Sequence, residues 1–459
     1  MGIRGQGQGT WRRHLELTGA VPGIMCGIFQ RSMGASWITI FSLPKTIGRR
    51  LLIEQFAIQR NQSIIMAIGE FLIYGDWCEM QTVKIQGKFS EIIVYTTENE
   101  ETALDNYAKA QLQLLADNEA SKGSKIRVMP DVHPAKVCTV GLTMTVGERI
   151  LPEAVSSDIG CGLTVARLKK FRPDFQKLDK AIMENVPSGT NIRKKPHHLS
   201  EAFDFGKLRA EKHIHKDRAL RSLGSLGSGN HMLEVDKDDN GDHYLVIHSG
   251  SRHLGKELTD YYLAQGQNVL KAKGYDVPYE LTWLDGELME AYLHDLAVVQ
   301  EFAALNRRIM AEEICKAMKW KTEEVISCAH NYVDFRGETP ILRKGAISAG
   351  EGEPVIIPIN MRDGVLLGKG KGNEEWNQSA PHGAGRILKR VDVKNRYTVS
   401  DFKREMKGIY SPSISKDTLD EAPFAYRGMD EILDAIKDTV EVTKILRPIY
   451  NFKAGNTEE

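Results

Sequence analysis

The sequence has no long apolar run, no excess of charge of either sign and no paired cysteines. Its nearest approach to a membrane-spanning stretch, residues 25–43, is interrupted by Arg31, Ser32 and Ser36, whereas a membrane helix needs about 18 or more apolar residues in a row. We therefore expect a protein without a membrane segment. The 61 basic residues are balanced by 61 acidic ones, so any surface that attracts a polyanion must be local.

The cysteines show no C-x-x-C spacing, and they lie at positions 26, 78, 138, 161, 315 and 328. Together with the lack of a convincing signal peptide, this predicts a reducing, cytoplasmic compartment, in which a cysteine is more often buried or a metal ligand than bridged. Hydrophobic residues make up 41% of the chain and charged residues 27%. This composition excludes a disordered chain and predicts an ordinary globular protein.

Residues 1–79 differ in character from the rest of the chain. They are rich in glycine, arginine and tryptophan and show little strand or helix periodicity. We interpret them as an unassigned extension upstream of a natural start at Met66 or Met80. From Met80 onward strand and helix patterns interleave irregularly, without an internal repeat. This favours an α+β fold in one compact domain, residues 80–459.

The individual elements are predicted from apolar periodicity. Helices are expected over 101–117, 175–185, 200–221, 256–273 and 285–318, and strands over 80–96, 125–129, 163–167, 243–248, 324–328 and 354–358. The last part of the chain, residues 398–453, is predicted to be mainly helical, with a short strand or loop at 448–453.

Six segments share one unusual pattern, in which a histidine, cysteine or aspartate is embedded among glycine, serine or asparagine beside an apolar run. They are MPDVHPAK (129–136), SSDIGCG (156–162), LGSLGSGNHMLEV (223–235), VIHSGSRH (246–253), SCAHNY (327–332) and SAPHGAGR (379–386). Glycine at such positions lets the backbone approach a ligand closely. One such segment would say little, but six in one chain indicate a ligand-binding site.

Five side chains in these segments form a donor set for a divalent metal. Asp158 and Cys161 lie on one tight turn and can share an ion, although a turn aspartate beside a buried thiol would give the same pattern. His231, His248 and His330 each lie at an end of a predicted strand, which favours coordination over a structural hydrogen bond. Imidazole, thiolate and carboxylate together suit zinc, manganese, iron or cobalt. Five donors exceed the four of a structural zinc site and predict an open or two-metal site.

His382 lies against bare backbone amides in His-Gly-Ala-Gly-Arg, with a guanidinium four residues on. The arrangement suits an oxyanion or phosphate, and histidine can attack phosphorus as a nucleophile. A sixth metal ligand and a histidine at a helix N-terminus are the alternatives. The turn 358–364 and the run GKGKGN (368–373), which lacks the P-loop spacing, fit either a nucleotide contact or a solvated basic turn. Glu234 is either an acceptor for guanine or a solvent-facing strand residue.

Taken together, DVHPAK, SSDIGCG, GSGNHMLEV, HSGSRH, AHNY, NMRDG, SAPHGAGR and the terminal RP-x-x-NFKAG resemble the RtcB family of RNA ligases, in order, across about residues 80–455. The resemblance implies one RtcB-like α+β domain with mixed sheets around a metal-centred cleft. It also implies joining of RNA 3′-phosphate or 2′,3′-cyclic phosphate ends to 5′-hydroxyl ends with GTP and manganese, two ions being expected, in tRNA splicing or RNA repair. An archease-type activator is a further expected partner.

The resemblance assigns roles residue by residue. It gives the manganese ligands as Asp158, Cys161, His231, His248 and His330. It gives His382 as the histidine that takes GMP as a phosphoramidate, Asp131 as a candidate partner of His382, and Arg252 as a residue near the RNA path. The positions that match nucleotide contacts are Asn230, His231, Met232, Leu233, Glu234, His330, Asn331, Pro358, Ile359, Asn360, Met361, Val365, His382, Gly383, Ala384, Gly385 and Lys453.

Four positions depart from the family pattern. Ala135 stands where glycine is usual, and Ile359 with Asn360 replaces a Gly-Ser turn. Val365 replaces a serine that often contacts the nucleotide, which removes a hydroxyl donor. These departures bear on the affinity for GTP rather than on the fold or the metal ligands.

Two other functions are compatible with the same residues. A metal-dependent phosphodiesterase that opens cyclic phosphates without ligation needs the metal ligands but not His382. A non-catalytic RNA-binding protein with structural zinc has no use for His382, Arg386 or Lys453, all of which are present. A covalent nucleotide adduct on the protein separates the ligase from both.

Overall fold

The computed structural model describes residues 80–96 and 104–455, together with the backbone of five strands within residues 1–79. The chain divides into two units, Met1–Glu79 and Met80–Glu459. In the first unit these strands form one antiparallel sheet in sequence order, which the sequence pattern does not predict. They are β1 (Trp11–Arg12), β2 (Cys26–Arg31), β3 (Ser36–Phe41), β4 (Phe56–Arg60) and β5 (Ser63–Ala67).

The second unit contains the helices and the remaining described strands. The strands are β6 (Gln81–Gln86), β7 (Glu91–Thr96), β8 (Ile126–Pro134), β9 (Thr139–Thr145), β10 (Arg149–Ile150), β11 (Gly162–Lys169), β12 (Met232–Lys237), β13 (His243–Ser249), β14 (Leu284–Asp285), β15 (Lys321–Ala329), β16 (Asn331–Asp334), β17 (Ile341–Lys344), β18 (Ala346–Ser348), β19 (Pro354–Asn360), β20 (Gly364–Gly370), β21 (Ser379–Pro381) and β22 (Val440–Phe452). The α-helices are α1 (Asn106–Ala116), α2 (Pro152–Val155), α3 (Phe175–Asn185), α4 (Lys216–Ser222), α5 (Arg252–Ala272), α6 (Gly286–Met318), α7 (Arg390–Arg396), α8 (Val399–Glu405) and α9 (Met429–Ile436). Short 3₁₀ helices lie at Glu119–Ser121, His198–Ala202, Phe205–Lys207, Glu211–His213, Tyr279–Leu281, Glu374–Trp376, Leu419–Glu421 and Pro423–Ala425.

The described strands of this unit form two larger sheets. A seven-stranded sheet has the order β15-β11-β13-β12-β22-β20-β19, and its neighbouring strands with a described register are antiparallel. A six-stranded sheet has the order β16-β17-β9-β8-β7-β6, in which β7 and β8 run parallel. Two further pairs are β10 with β14 and β18 with β21. The predicted α+β class, one compact domain with mixed sheets, is confirmed.

The register of the seven-stranded sheet brings several strand ends together. Gly162 at the start of β11 pairs with Ser249 at the end of β13 and with Ala329 at the end of β15. Met232 at the start of β12 pairs with His248 of β13. Because antiparallel neighbours alternate in direction, the residues just beyond these pairs lie at one end of the sheet.

The 33-residue helix α6 packs across one face of this sheet. Its buried residues recur every three or four positions, as an amphipathic helix requires. Met310 and Ile314 lie in one apolar cluster with Leu233 of β12 and Leu245 of β13. The opposite face of the sheet holds a second apolar cluster that includes Val365. Among the helices of the described residues, none has the length and hydropathy that would let it cross a membrane.

The long predicted helices are found. The prediction over 175–185 matches α3, and that over 285–318 matches α6, which begins one residue later. The prediction over 256–273 matches α5, which begins four residues earlier, at Arg252. α1 begins at Asn106 rather than at 101, and residues 101–103 lie outside the described residues.

The helix predicted over 200–221 is wrong. The segment forms short 3₁₀ turns and then the seven-residue helix α4. The buried carboxylate of Asp295 accepts the backbone N–H groups of Arg209 (2.7 Å) and Ala210 (2.9 Å). A continuous helix would use these groups within itself, so the contact with α6 replaces it.

The prediction that residues 398–453 are mainly helical is also wrong. Only α8 and α9 are α-helices in this part of the described chain, and it ends in β22, a strand of 13 residues. β22 lies between β12 and β20, and its β-branched and aromatic residues suit a sheet interior. Pro448, which has no N–H to donate, lies where the register with β12 shifts.

Candidate active site

The predicted metal ligands converge at one end of the seven-stranded sheet. Cys161 Sγ lies 3.3 Å from His231 Nε2 and 3.3 Å from His248 Nε2. His248 Nε2 lies 2.9 Å from His330 Nε2, and His231 Nε2 lies 3.1 Å from Asp158 Oδ2. The atoms form two groups that could each hold a metal ion, Cys161–His248–His330 and Asp158–Cys161–His231. The two groups share Cys161 and are therefore adjacent.

The protonation states of these groups fit a cation. The carbonyl oxygen of Leu226 accepts a hydrogen bond from His231 Nδ1–H (2.8 Å), so His231 Nε2 faces the other donors. Burial lowers the pKa of His248 and of His330 well below the ordinary value, which keeps both imidazoles neutral. Lone pairs held this close repel one another unless a cation or a proton lies between them. The donor set therefore fits a borderline divalent metal.

Asp158 and Cys161 differ in their electrostatic surroundings. Burial raises the pKa of Asp158, but its hydrogen bond to His231, the charge of His231 and the charge of Arg252 outweigh this and hold the pKa at about 2. Burial also raises the pKa of the Cys161 thiol, and the charge of Asp158 raises it further. Asp158 is thus a carboxylate, whereas Cys161 needs a nearby cation to become a thiolate.

Glycines at the strand ends permit the close approach of the ligand-bearing loops. A Cβ on Gly250 would lie 2.2 Å from Asp158 Oδ1, and a Cβ on Gly162 would lie 2.2 Å from the carbonyl oxygen of Cys328. The backbone N–H of Ser251 donates to Asp158 Oδ1 at 3.0 Å. This explains why the motifs place bare glycine beside the ligands.

We call the five predicted ligands, Asp158, Cys161, His231, His248 and His330, the metal-ligand cluster. His382 lies beside this cluster, and one nitrogen of its ring is hydrogen-bonded. Its Nδ1–H donates to Asp131 Oδ2 at 2.8 Å. Asp131 is fully buried, and its Oδ1 has no hydrogen-bond partner among the described residues. The His382 ring centroid lies 4.7 Å from that of His330. Since Nδ1 carries the proton, His382 Nε2 holds a lone pair.

A cleft of about 130 Å³ opens beside His382 and His248, and we call it the His382 cleft. Eleven of the predicted nucleotide-contacting residues line it: Asn230, Met232, Pro358, Ile359, Asn360, Met361, His382, Gly383, Ala384, Gly385 and Lys453. His133, Arg386, Arg390, Glu421 and Tyr426 also line it. Backbone amides beside arginine and lysine side chains are groups that bind phosphate.

A buried ion network holds the cationic side of the His382 cleft. Lys453 Nζ donates to Glu421 Oε2 at 3.1 Å and to the carbonyl oxygen of Asn230 at 3.2 Å. Burial raises the pKa of Glu421, but the charges of Lys453, Arg390 and Arg386 outweigh it and lower the pKa below the ordinary value. Glu421 therefore stays ionised and, together with Asp420, which pairs with Arg390, fixes the positions of these cations.

Six other predicted nucleotide contacts do not line this cleft, and two of them, His231 and His330, belong to the metal-ligand cluster. The side chains of Leu233 and Val365 are fully buried in the apolar clusters on the two faces of the sheet. Strand alternation points Leu233 toward α6, so its side chain cannot reach a nucleotide in the cleft. Asn331 Oδ1 accepts the backbone N–H of Gly345 at 2.9 Å. Glu234 lies behind the cleft and is fully buried.

The burial of Glu234 rules out a solvent-facing strand residue. Its Oε1 accepts a hydrogen bond from Asn451 Nδ2, while its Oε2 has no partner among the described residues. Burial raises the pKa of Glu234 to about 7, although Lys453 and Asn451 act in the opposite direction. A buried acceptor without a donor is costly, so Glu234 is a candidate for accepting an N–H from a ligand.

A second cavity, of about 380 Å³, borders the metal-ligand cluster at Asp158 and His231, and we call it the Asp158 cavity. Its lining includes Arg252, whose place near the RNA path stays a prediction. Arg252 Nη2 donates to the carbonyl oxygen of Gly189 at 3.0 Å. Arg218 and Lys256 also line the cavity, and their charges suit an anionic ligand.

Sequence reasoning missed several of these lining residues. His133 stands two positions after Asp131 in a quoted motif, so that motif could have indicated it. Glu421 and Tyr426 lie in a stretch that has no glycine-rich turn. Arg218 lies in the segment predicted as a long helix. Only tertiary packing brings these three to the site, and local sequence carries no signal of it.

Comparison with known proteins gives a consistent result. Residues 113–454 match the sequence profile of the family described as tRNA-splicing ligase RtcB. The RNA-splicing ligase RtcB of Escherichia coli strain K12 is 31% identical over 371 residues, covering 72% of this chain and 90% of the relative. The tRNA-splicing ligases RtcB of Nanoarchaeum equitans and Aeropyrum pernix are each 28% identical, covering 71% and 66% of this chain and 87% and 82% of the relatives. The matched residues include the five predicted metal ligands and His382.

Proposed function

Because the chain belongs to the RtcB family, we propose that it is an RNA ligase that joins 3′-phosphate or 2′,3′-cyclic phosphate ends to 5′-hydroxyl ends, using GTP and manganese. The names of its relatives support an RNA-ligating activity, in tRNA splicing or RNA repair. One observation carries the proposal. His382 is bound through Nδ1 to Asp131, and its ring lies against the metal-ligand cluster.

In this proposal His382 Nε2 is the nucleophile toward GTP. Asp131 accepts a hydrogen bond from His382 Nδ1–H, so the lone pair of Nε2 is available. A bond forms between Nε2 and the α-phosphorus, and the bond to pyrophosphate breaks with its electron pair leaving on the pyrophosphate oxygen. The imidazole gains positive charge in this step, and the buried carboxylate of Asp131 stabilises that charge.

The residues that would hold the metal are Asp158, Cys161, His231, His248 and His330. Manganese bound there would supply a Lewis acid that offsets phosphate charge. The donor set by itself suits manganese, zinc, iron and cobalt, so the choice of manganese rests on the family. The cluster adjoins both cavities, through His248 at the His382 cleft and through His231 at the Asp158 cavity.

The groups that line the His382 cleft suit the phosphates of GTP. The backbone of residues 383–385 with Arg386 and Lys453 faces the phosphates. Glu234, behind the cleft, offers acceptors to the N1–H and amino group of guanine. Ile359 and Asn360, two of the departures from the family pattern, line the cleft.

RNA is proposed to reach the metal cluster through the Asp158 cavity, where Arg252 contacts its phosphates. GMP passes from His382 to the RNA 3′-phosphate as the P–N bond breaks and a P–O bond forms. The 5′-hydroxyl oxygen then attacks the RNA 3′ phosphorus, loses its proton and displaces GMP. A cyclic phosphate end must first be opened by water.

A ligation assay tests this function. Purified protein is incubated with end-labelled RNA that carries a 3′-phosphate and a 5′-hydroxyl, with GTP and manganese, and omission of either should abolish joining. Replacing His382 with Ala should abolish ligation of 3′-phosphate ends while cyclic phosphates are still opened to some extent. A wild-type protein that opens cyclic phosphates and never ligates is a phosphodiesterase, and the ligase proposal is then wrong.

A further inference from the structure

Two adjacent polar residues, Asn306 and Arg307, lie in the buried face of α6 below the metal-ligand cluster. Asn306 is 0% exposed and Arg307 is 2% exposed. Phe302 and Met310, on the same face of the helix, are apolar and fully buried. A guanidinium and an amide placed in such surroundings are costly unless every polar atom finds a partner. Their partners therefore show what they do.

Arg307 connects the backbones that carry two of the proposed ligands. Its Nη1 donates to the carbonyl oxygen of Gly160 at 2.8 Å and to that of Ser249 at 2.9 Å. Gly160 immediately precedes Cys161, and Ser249 immediately follows His248. Because the guanidinium is planar and rigid, one group fixes the separation of these two chain segments.

The same guanidinium also reaches the hydroxyl groups of two strands. Arg307 Nε donates to Thr164 Oγ1 of β11 at 3.2 Å, and Nη2 donates to Ser327 Oγ of β15 at 3.4 Å. β15 leads directly to His330. The contacts of Arg307 thus extend to the strand that carries a third ligand.

Asn306 holds the loop before His231. Its Oδ1 accepts the backbone N–H of Gly224 at 2.7 Å and that of Ser225 at 3.1 Å. Its Nδ2 donates to the carbonyl oxygen of Ser225 at 3.1 Å and to that of Gly250 at 3.0 Å. This loop contains the Leu226 carbonyl that orients the His231 ring.

We infer that Asn306 and Arg307 are positioning residues, which hold the loops bearing Cys161, His231 and His248 at ligand spacing before a metal binds. The inference rests on the proposed metal-dependent function. A site whose donors are already in place loses less conformational freedom when the ion binds, and binds it more tightly. Neither residue touches the metal in this proposal, so the ligands themselves are unchanged by their replacement.

The variant R307K tests the inference, because lysine keeps the charge but loses the fixed N–H directions of the guanidinium and the separate Nε and Nη2 donors that reach Thr164 and Ser327. R308K is the matched control. Arg308 is the next residue on α6, its side chain is 67% exposed, and its Nε donates to Glu312 at 2.9 Å. By calorimetry, R307K should bind manganese at least about tenfold more weakly than wild type, and R308K should bind it as wild type does.

Two further readouts separate positioning from general structural support. N306D keeps the Oδ acceptor of Asn306 but loses its N–H donors, and it should weaken metal binding in the same direction. With cobalt as probe, both variants should still show a thiolate-to-cobalt charge-transfer band at saturation, since Cys161 remains the ligand. Circular dichroism and thermal unfolding of the metal-free variants report the fold.

The outcomes are distinguishable. Weaker binding by folded R307K or N306D, with the band retained, supports the inference. Wild-type affinity in folded R307K and N306D, with only a lower melting temperature, overturns it. If R307K does not fold, N306D decides between these two results. Absence of metal binding in the wild-type protein would instead refute the proposed function on which the inference rests.

Discussion

The buried carboxyl of Glu234 affects both the stability of the fold and the proposed recognition of guanine. Its carboxyl is fully buried, one of its oxygens lacks a donor among the described residues, and burial raises its pKa to about 7. A glutamine would meet Asn451 equally well through its oxygen and would not carry the cost of a buried charge. Guanine offers two adjacent N–H donors, which an ionised carboxylate accepts together. We therefore attribute the carboxylate to recognition of the base.

The first prediction concerns nucleotide choice. Replacing Glu234 with Gln should lower the preference for GTP over ATP by at least about tenfold, because an amide N–H would face the N1–H of guanine. Labelling of the protein with each radioactive nucleotide in the presence of manganese measures this preference. Asp236 is buried on the same strand, and the control variant D236N should keep it. Equal discrimination by wild type and E234Q would remove Glu234 from base recognition.

A second prediction concerns the pH dependence of stability. The folded protein raises the pKa of Glu234 from 4.5 to about 7, so this group stabilises the fold fully below pH 4.5 and loses that contribution as the pH rises toward 7. Between pH 4.5 and 8 wild type should lose on the order of 2–3 kcal/mol that E234Q retains. Urea unfolding of both proteins at several pH values measures the difference. Parallel curves for the two proteins would contradict the assignment.

At the scale of elements, the β19–β20 hairpin carries the turn that lines the His382 cleft. Gly364 follows this turn with a φ of +86°, and a Cβ there would lie 1.9 Å from the carbonyl oxygen of Leu446 in β22. Gly352 also has a positive φ, +71°, but a Cβ there meets nothing within 4 Å. Alanine at Gly352 would therefore cause backbone strain alone, whereas alanine at Gly364 would cause both backbone strain and a steric clash.

The third prediction uses that difference. Gly352→Ala should cost about 1 kcal/mol, from the strained φ alone. Gly364→Ala should cost at least about 3 kcal/mol, because β22 must also move. Denaturant unfolding of the two variants gives the values. Similar costs for both would show that β22 does not press on Gly364 as the structure has it.

Some elements could be predicted from the sequence and others could not. α3 and α6 carry a sustained apolar period, and local pattern suffices for them. The segment 200–221 has helical composition, but Asp295 of α6 takes the backbone donors that a helix needs. The sequence predicts a mainly helical segment over 398–453, with a strand or loop only at 448–453, because the pairing partners of β22, β12 and β20, are distant in sequence. Tertiary contacts overrode local preference in both places.

The candidate site divides in the same way. The predicted ligands could be picked out in the sequence because glycine-rich turns lie beside them, and the strand register brings these residues together. The positions of Arg218 and Glu421 in the two cavities depend on packing alone. Arg307 is marked in the sequence, since an arginine in the apolar stripe of an amphipathic helix needs a buried partner.

At the scale of the whole molecule, the apolar clusters of the described residues, the His382 cleft and the Asp158 cavity all belong to the second unit. The family profile matches residues 113–454, and the boundary between the two units lies at Met80. We therefore predict that a chain beginning at Met80 is soluble, binds metal and ligates RNA at the rate of the full chain. Expression, circular dichroism and a ligation time course measure this. Insolubility of the shortened chain would show that residues 1–79 are needed by the enzyme.

The overall charge balance fits an enzyme that binds RNA locally. The chain has a formal charge of zero, yet Arg218, Arg252 and Lys256 line the Asp158 cavity, and Arg386 and Lys453 line the His382 cleft. These cations flank the metal-ligand cluster from two sides. Attraction for phosphate is thus concentrated where the reaction is proposed to occur.

The most direct test of the central claim is the chemical identity of the adduct that GTP forms with the protein. After incubation with GTP and manganese, the peptide containing His382 should gain the mass of GMP. The bond should be cleaved by acid and survive alkali, because protonation makes the nitrogen of a phosphoramidate a good leaving group. H382A should give no adduct. An adduct on another residue, or labelling of H382A as strong as that of wild type, would contradict the guanylyl-histidine mechanism for this chain.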